Sequence, residues 1–408
     1  MAAEFPPVPA GASHHLQADF VVVTPMFIGD GQQHAESVRP PSLKGALRFW
    51  WRALQWPRFL LEAGDPVRAL SRLHAEEAAL FGLAAGHDTQ AGQSRICLRI
   101  VAQDVEQDTS AARSAPGYLM GMGLQERSAI RAGGRFTLAL TARDGKRGLT
   151  DQQWRGVREA LLAFGLLGGL GSRARRGLGS VSLRSLIGGE CEVPEDRSGY
   201  AHTLRRMTEG LPVASAGLPP FTAFSLATRI DISLHAESPE VVLQQLDRQL
   251  QLYRGWGYHG RINGERAEQN FPGDHDDMLK VAGGGGARRV PERAVFGLPH
   301  NYRFSSGDKA EVESVLQGGR RASPLMMHVH QLASGECLGV QCLLPAQFLP
   351  PGAETVSFKG KPRGGKPVSS KLECESVDWQ VIHRFLDRFP HRESLLAPSV
   401  RVDDGVRQ

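Results

Sequence analysis

The sequence has few cysteines, and they form no metal-binding or redox motif. Its 408 residues include 5 cysteines, an odd number, and no CxxC pair occurs. The cysteines are scattered: Cys97, Cys191, Cys337, Cys342 and Cys374. This distribution argues against a zinc knuckle and against a disulfide scaffold, and it fits the reducing environment of the cytoplasm. We therefore expect a cytoplasmic protein.

Long apolar runs are also missing. No stretch approaches the roughly 18 uncharged apolar residues that a membrane span needs, so we expect no membrane partner. Met1–Phe20 has neither a basic start nor an apolar core, so we expect no secretion signal. The hydrophobic fraction of 41% and charged fraction of 22% are those of a globular protein. A chain of 408 residues exceeds one ordinary core and predicts two domains.

Catalytic and metal-binding motifs are absent from the sequence as well. None of the 14 histidines has HExxH spacing, and neither GxSxG nor the GK[ST] of a P-loop occurs. His34 could be a general base for RNA cleavage, but we identify no carboxylate to fix its tautomer. His328 and His330 share one face of a predicted strand, but two ligands without a third are a weak basis for a metal site. We therefore predict no catalytic residue, no metal and no cofactor.

Strand and helix patterns recur in a similar order in the two halves of the chain. In the first half they predict strands and helices at Leu16–Thr24, Leu43–Gln55, Pro66–Phe81, Arg95–Val105, Gly134–Ala142, Asp151–Leu167 and Gly179–Ile187. In the second half they predict elements at Thr222–His235, Pro239–Tyr253, Leu325–Leu332, Glu336–Leu344 and Val377–Phe389. The prediction is an α+β protein with two tandem ferredoxin-like (RRM-like) domains with insertions.

The predicted domain boundaries follow the turn-rich segments. The first domain is predicted over residues 1–195, a linker with a short helical piece near Leu204 over 196–220, and the second domain over 221–408. Within the second domain, residues 255–293 are predicted as a polar insertion and Lys359–Lys371 as a basic Pro/Gly loop.

Basic residues without acidic neighbours mark a first candidate site. The net charge is only +5, but Ser37–Leu61 holds Arg39, Lys44, Arg48, Arg52 and Arg58 and no acidic residue. With Ser42 as N-cap, a helix places Lys44, Arg48 and Arg52 on one stripe, with no carboxylate of the segment to neutralise it. Such a stripe beside a helix N-terminus suits the phosphates of RNA. Trp50 and Trp51 point to different faces; core packing is the better expectation for each, although one could stack on a base.

A glycine- and arginine-rich segment marks a second candidate site. Gly165–Ser180 reads GLLGGLGSRARRGLGS, and the arginine-rich stretch through Arg184 contains no acidic residue. Glycines let backbone N–H groups approach an anion closely, and neighbouring guanidinium groups clamp phosphate. The order of helix, glycines and then strand is the reverse of a Rossmann fingerprint. We predict RNA contact here; the alternative is a surface loop with no ligand. The candidate residues are Gly168, Gly169, Gly171, Ser172, Arg173, Arg175, Arg176 and Gly177.

These motifs resemble those of the RAMP superfamily. TPMFIGDGQQHAESVRPPSLKGALRFWWRAL (Thr24–Leu54) resembles the opening signature of subunit one of type III-B CRISPR effector (Cmr) complexes. GGLGSRARRGLGSV (Gly168–Val181) resembles the glycine-rich loop of RAMP proteins, and RRASPLMMHV (Arg320–Val329) resembles the family's second-half strand. The resemblance adds Arg320 and Arg321 to the candidate RNA-binding residues.

The resemblance implies a function in antiviral defence. It implies a non-catalytic ribonucleoprotein subunit that contacts CRISPR guide RNA toward its 3′ end, target RNA and other RAMP-type subunits. Two alternatives stay open: a metal-independent RAMP-type endoribonuclease that uses His34, and a mainly structural adaptor whose tryptophans dock neighbouring subunits. The 255–293 insertion matches nothing in the family pattern.

Overall fold

The structure, a computed structural model, describes residues 14–30, 34–83, 92–143, 148–189, 193–212, 217–316 and 318–399. Cys191 and the N-terminal residues 1–13 lie outside the described residues. Within the described part, no helix is long and apolar enough to cross a membrane. The cysteines that are described, Cys97, Cys337, Cys342 and Cys374, are free thiols.

The first half of the chain forms a four-stranded antiparallel sheet with helices packed on one face. Its strands have the order β2-β5-β1-β6, and α1 packs against both α2 and α5. The elements are β1 His15–Val22, α1 Pro40–Ala63, α2 Pro66–Phe81, β2 Ile96–Asp104, β3 Gln107–Asp108, α3 Ala111–Ser114, α4 Gly117–Met120, β4 Ala129–Ile130, β5 Arg135–Ala142, α5 Asp151–Leu167 and β6 Val181–Ile187.

The second half repeats this strand order around an inserted module. Its sheet has the order β12-β13-β7-β16, and a further sheet, β10-β11-β14-β15, lies beside it. The elements are α6 Arg197–Glu209, β7 Arg229–Ala236, α7 Pro239–Arg254, β8 Arg261–Ile262, β9 Glu265–Arg266, α8 Pro272–Ala282, a 3-10 turn Glu292–Phe296, β10 His300–Arg303, β11 Lys309–Ser314, β12 Leu325–Gln331, β13 Cys337–Leu343, β14 Thr355–Lys361, β15 Val368–Glu373, α9 Gln380–Asp387 and β16 Glu393–Leu396.

Local sequence explains where the main helices begin. Helix α1 starts with Pro40 and Pro41, whose missing N–H groups cost nothing in a first turn, and Arg39 is its N-cap. The prediction of Ser42 as N-cap is therefore wrong, because the prolines set the start upstream of it. Helix α5 begins with a capping box between Thr150 and Gln153. The predicted bounds of α2 and α5 are confirmed.

The predicted polar insertion and basic loop contain regular structure. Residues 255–293 include the β8–β9 hairpin and α8, and Lys359–Lys371 lies in the β14–β15 hairpin. Helix α8 packs on β11 and β14, where Val312 and Phe358 are fully buried. The prediction of a loop is wrong for the residues of Lys359–Lys371 that lie in β14 and β15. These short strands expose one face, and a polar exposed face hides the apolar alternation of the other.

The two halves share one continuous core. Leu161 of the first half and Ile230 and Leu338 of the second belong to the same buried cluster. Helix α6 confirms the helical piece predicted near Leu204 and closes this core, since the Tyr200 hydroxyl donates to the Leu166 carbonyl oxygen at 2.6 Å. Strands β6 and β12 meet at the junction, where the Ser182 hydroxyl accepts from the Gln331 backbone N–H at 2.9 Å. We call this junction between the halves the seam. The Gly/Arg loop, residues 168–180, connects α5 to β6 and lies at the seam.

Candidate nucleic-acid interface

The basic stripe of α1 is largely neutralised by its neighbour α2. Arg48 Nε and Arg52 Nη1 both lie 2.6 Å from Glu77 Oε1, and the Glu77 side chain is 3% exposed. Arg58 pairs with Glu62 and Glu76. The expectation of a stripe without a carboxylate is therefore wrong, because α2 folds back and supplies one. Arg48 and Arg52 stabilise the packing of α1 on α2, and their charge is partly neutralised by Glu77.

Uncompensated charge on α1 remains at its N-terminus. Arg39 is exposed at the N-cap, and no acidic side chain lies in the first turn. Partial burial, with Arg48 and Arg143 nearby, lowers the pKa of Lys44. Ser42 is half-buried in the first turn and makes no side-chain cap. Among the residues that the structure describes, neither Arg39 nor Lys44 has an ion-pair partner.

The tryptophans of α1 are core residues. Trp50 is 3% exposed and Trp51 is fully buried. The Trp51 ring packs edge-on against Phe59 and Phe81, which fixes α1 against α2. Neither ring has a face free to stack on a base, so Trp50 and Trp51 are removed from the candidate RNA-binding residues. Burial of aromatic area against the sheet and α2 accounts for both positions.

The glycines of the loop after α5 allow close approach of protein to protein. At Gly171 (φ +86°), a Cβ would lie 2.6 Å from the Phe27 carbonyl oxygen, and at Gly179 it would lie 2.0 Å from that of Leu170. At Gly168 and Gly169, a Cβ would meet the carbonyl oxygens of Phe164 and Gly179, and at Gly177 it would meet Leu243. The predicted reason for these glycines, approach to phosphate, is therefore replaced by internal packing.

Side chains from elsewhere fix the loop in the seam. The Thr24 hydroxyl donates to the Gly177 carbonyl oxygen at 2.7 Å and accepts from the Ser180 backbone N–H at 2.9 Å. The Ser172 backbone N–H donates to Phe27, and the backbone N–H of Met327 on β12 donates to the Arg175 carbonyl oxygen. The loop is thus a fixed platform that holds its arginines in defined positions.

The loop arginines are oriented by main-chain carbonyl oxygens. Arg173 donates to Met120 and Met122 at 2.9 and 3.1 Å, and Arg176 donates to Leu119 at 3.3 Å and Tyr118 at 3.5 Å. Arg175 donates to the Ser323 carbonyl oxygen. Carbonyl oxygens hold a guanidinium group in place but do not cancel its charge.

Other arginines complete what we call the arginine cluster. Arg320 is exposed near Arg173, and Arg321 lies near Arg175, where it donates to Gln347 and Phe348. The Arg127 side chain donates to the Ser172 hydroxyl at 3.4 Å, and Arg254 lies near Arg176. The members are Arg127, Arg173, Arg175, Arg176, Arg254, Arg320 and Arg321. Sequence reasoning missed Arg127 and Arg254, because each lies outside the motifs and reaches the loop only through folding.

The arginine cluster has a large excess of positive charge. Across the described ranges, no member is within ion-pair distance of a carboxylate. Burial, together with Arg321, lowers the pKa of Arg175 to about 10, and burial with Arg254 and Arg173 lowers that of Arg176 to about 10. Both stay protonated at neutral pH. The buried Nε atoms of Arg127 and Arg254 have no hydrogen-bond partner. Positive charge that is held in place without a neighbouring carboxylate favours the approach of an anion.

The arginine cluster also contacts α1. The Arg175 guanidinium lies 5.0 Å from the centre of the half-buried Phe49 ring. The two segments singled out in the sequence therefore meet, but through Phe49 and not through the Lys44–Arg52 stripe. Arg184 lies apart from them at the seam, where it donates to the Gln331 side chain at 2.6 Å.

Of the three histidines singled out in the sequence, one is exposed beside a carboxylate and two form a buried pair. His34 Nδ1 lies 3.8 Å from Asp30 Oδ2, which corrects the expectation that no carboxylate accompanies it. His328 and His330 are buried, with ring centres 5.7 Å apart. Burial lowers the pKa of His328 to about 3. In the described part of the chain, no three His, Cys, Asp or Glu side chains are placed to hold a metal ion.

One known family matches the part of the chain that carries both basic motifs. The sequence matches the RAMP superfamily over residues 19–182, a stretch that runs from β1 through the Gly/Arg loop. The resemblance to this superfamily is thereby confirmed.

Two solved structures share the fold over nearly the whole chain. Cmr1 from Pyrococcus furiosus, in its apo form, is 16% identical, with a TM-score of 0.54, and the match covers 94% of this chain and 99% of that one. A chain of the type III-B Cmr-beta complex bound to cognate target RNA is 12% identical, with a TM-score of 0.50, covering 92% and 98%. No curated protein sequence matches the chain. Identities this low show the fold alone.

Proposed function

We propose that this protein is a non-catalytic RNA-binding subunit of a type III-B CRISPR effector complex. In this proposal it contacts guide RNA toward its 3′ end and target RNA, and it packs against other RAMP-type subunits. The observation that carries the proposal is the arginine cluster, whose charge is not cancelled by any carboxylate among the described residues. In this proposal, phosphate groups of RNA supply the counter-charge.

The position of the arginine cluster supports a backbone contact rather than base recognition. Its members come from both halves of the chain and surround the seam, and the tryptophans of α1 are buried. Guanidinium groups that contact phosphates give affinity but carry no sequence information. We therefore expect binding that is sensitive to salt and tolerant of sequence, as a subunit that serves many different guides requires.

The strand order is the same in the two main sheets. Each main sheet has the strand order expected when a β-α-β-β-α-β path folds into one antiparallel sheet. We propose that the halves are two ferredoxin-like units, over residues 1–195 and 221–408, joined by residues 196–220. The sheet β10-β11-β14-β15 with α8 is an insertion into the second unit.

Binding of single-stranded RNA by the purified chain tests the proposal. If four to six phosphates are engaged, the logarithm of the binding constant falls against log salt with a slope of roughly −3 to −4. The double substitution Arg173→Gln and Arg320→Gln reduces the slope by about 1.4 if both contact phosphates. The matched control is Arg72→Gln with Arg248→Gln, since both arginines are exposed and paired with Glu62 and Glu265. A wild-type slope near zero overturns the proposal.

One observation favours a second candidate, an endoribonuclease that uses His34. Asp30 lies close enough to bias the orientation of the His34 ring, as a carboxylate does for a general base. Incubation of the purified chain with repeat RNA in EDTA tests this alternative, and RNA that stays intact counts against it. The structural-adaptor alternative loses its basis in the tryptophans of α1, because Trp50, Trp51 and Trp56 are all buried.

A further inference from the structure

The inserted sheet has one apolar face and one strongly polar face. Tyr302, Ala310, Val312, Val356 and Phe358 are buried, and their cluster includes Met278 and Val281 of α8. Residues that alternate with them point to the opposite face. On that face Arg303, Lys309, Lys359 and Lys361 are all exposed. The sheet thus presents lysine and arginine side chains to solvent on the side away from α8.

Three of these side chains form what we call the basic row. Arg303 is directly opposite Lys309 on the neighbouring strand, and Lys309 is directly opposite Lys361 on the next. Neighbouring strands are about 4.8 Å apart, so like charges are held side by side, which destabilises a sheet. No residue in the described ranges forms an ion pair with any of the three.

The next row of the same face, which contains Lys359, does have carboxylate partners. Lys359 pairs with Glu313 at 2.5 Å, and Glu311 lies close to it. Carboxylates therefore balance the lysine at one end of the sheet, whereas the row at the other end has none. Charge that is unfavourable within the protein and accessible to solvent is typical of a surface that meets a polyanion.

The basic row lies next to the arginine cluster, because a member of each contacts Met122. Arg173 donates to the Met122 carbonyl oxygen at 3.1 Å, and the Arg303 guanidinium contacts the sulfur of the same residue. Met122 therefore contacts one cation of each group. Beyond Lys361, the β14–β15 turn adds the exposed Lys366, whereas Arg363 lies beside the Asp308 carboxylate. The positive surface runs from the seam across the edge of the inserted sheet.

We propose that the basic row is a second contact for the RNA backbone, continuous with the arginine cluster. The proposal rests on the proposed function and extends it to a segment outside the family motifs. The strand positions on this face carry no aromatic side chain, so the contact is to phosphates and not to stacked bases. A strand of RNA bound at the arginine cluster reaches the basic row only if it is long enough to pass Met122.

The test is a triple substitution of the row, Arg303→Gln, Lys309→Gln and Lys361→Gln, measured with short and long single-stranded RNA. If each side chain contacts one phosphate, the salt slope for long RNA becomes smaller by about 2, from about 0.7 per phosphate. Binding of RNA too short to pass Met122 stays as in the wild type. The unfolding midpoint stays at or above the wild-type value, because like charges are removed.

The matched control removes the same charge from positions with carboxylate partners. Arg72→Gln, Lys280→Gln and Arg248→Gln change exposed residues that are paired with Glu62, Asp277 and Glu265. This control leaves the slope for long RNA unchanged. An equal loss in control and row variants would show a general charge effect and would overturn the proposal.

The two proposals fail in different ways. If the wild-type chain binds neither RNA, the proposed function fails, and the basic row fails with it. If Arg173→Gln with Arg320→Gln weakens binding while the row variant equals wild type on long RNA, only the basic row proposal fails. A row variant that binds RNA normally but no longer joins the effector complex would instead assign the row to an acidic protein surface, and this also overturns it.

Discussion

The shared carboxylate between α1 and α2 leads to a prediction that separates two neighbouring basic residues. The perturbation is Arg48→Glu, compared with Lys44→Glu one turn earlier on the same helix. Arg48 contacts Glu77, whose side chain is 3% exposed, whereas Lys44 has no described carboxylate partner and lies near Arg48 and Arg143. From sequence alone the two positions look equivalent.

The expected change in the free energy of unfolding follows from the geometry around Glu77. Arg48→Glu removes a charge-assisted hydrogen bond, which is worth about 1.5–3 kcal/mol. The new carboxylate also repels Glu77, by roughly 3–4 kcal/mol at about 5 Å with an effective dielectric constant of about 20. Arg52 still holds Glu77, and the Arg48 side chain is 29% exposed, so the new group can turn toward water. We expect Arg48→Glu to lower the free energy of unfolding by about 3 kcal/mol. For Lys44→Glu, we expect a free energy of unfolding within about 0.5 kcal/mol of the wild type.

Urea denaturation followed by tryptophan fluorescence measures both variants, because Trp50 and Trp51 lie on the same helix. The control is Arg131→Glu, an exposed residue paired with the exposed Glu106, where we expect a loss of no more than about 1 kcal/mol. The double variant Arg48→Glu with Glu77→Arg should recover part of the loss. Equal midpoints for Arg48→Glu and Lys44→Glu would refute the assignment of Arg48 to a stabilising role.

Three further predictions concern the loop and the histidines. Gly171→Ala should lower the free energy of unfolding by about 2 kcal/mol or more, because φ is +86° and the new Cβ would lie 2.6 Å from the Phe27 carbonyl oxygen. Thermal unfolding measures this loss, and Gly283→Ala, whose new Cβ has no neighbour closer than 3.6 Å, is the control. Equal losses in the two variants would contradict the packing role of Gly171. Burial lowers the pKa of His328 to about 3, below its unfolded value of about 6.5, so the unfolded state takes up the proton first and stability falls as pH drops from about 6.5 toward 3. In His328→Leu, pH-dependent denaturation should show a slope smaller by up to about 1.4 kcal/mol per pH unit, and an unchanged slope would count against this assignment. His34→Ala should leave an RNA cleavage time course of the assembled complex unchanged, whereas a loss of about 100-fold or more would make His34 a general base.

The sequence by itself determined the elements that local signals define. Proline and the capping box set where α2 and α5 begin, and apolar periodicity set how far they run. It also singled out the loop that carries Arg173, Arg175 and Arg176. These features depend on residues within one turn or one strand of each other, so a linear pattern contains them.

Only the tertiary structure decided what covers each face. Periodicity placed Lys44, Arg48 and Arg52 on one stripe, but Glu77 comes from another helix, and no spacing within α1 reveals it. In the same way, Arg254 reaches Arg176 from a distant helix, and the rows of the inserted sheet exist only through strand register. Charge compensation and burial depend on distance in space, and chain separation does not encode that distance. The arginine cluster is therefore a product of the fold, assembled from both halves of the chain.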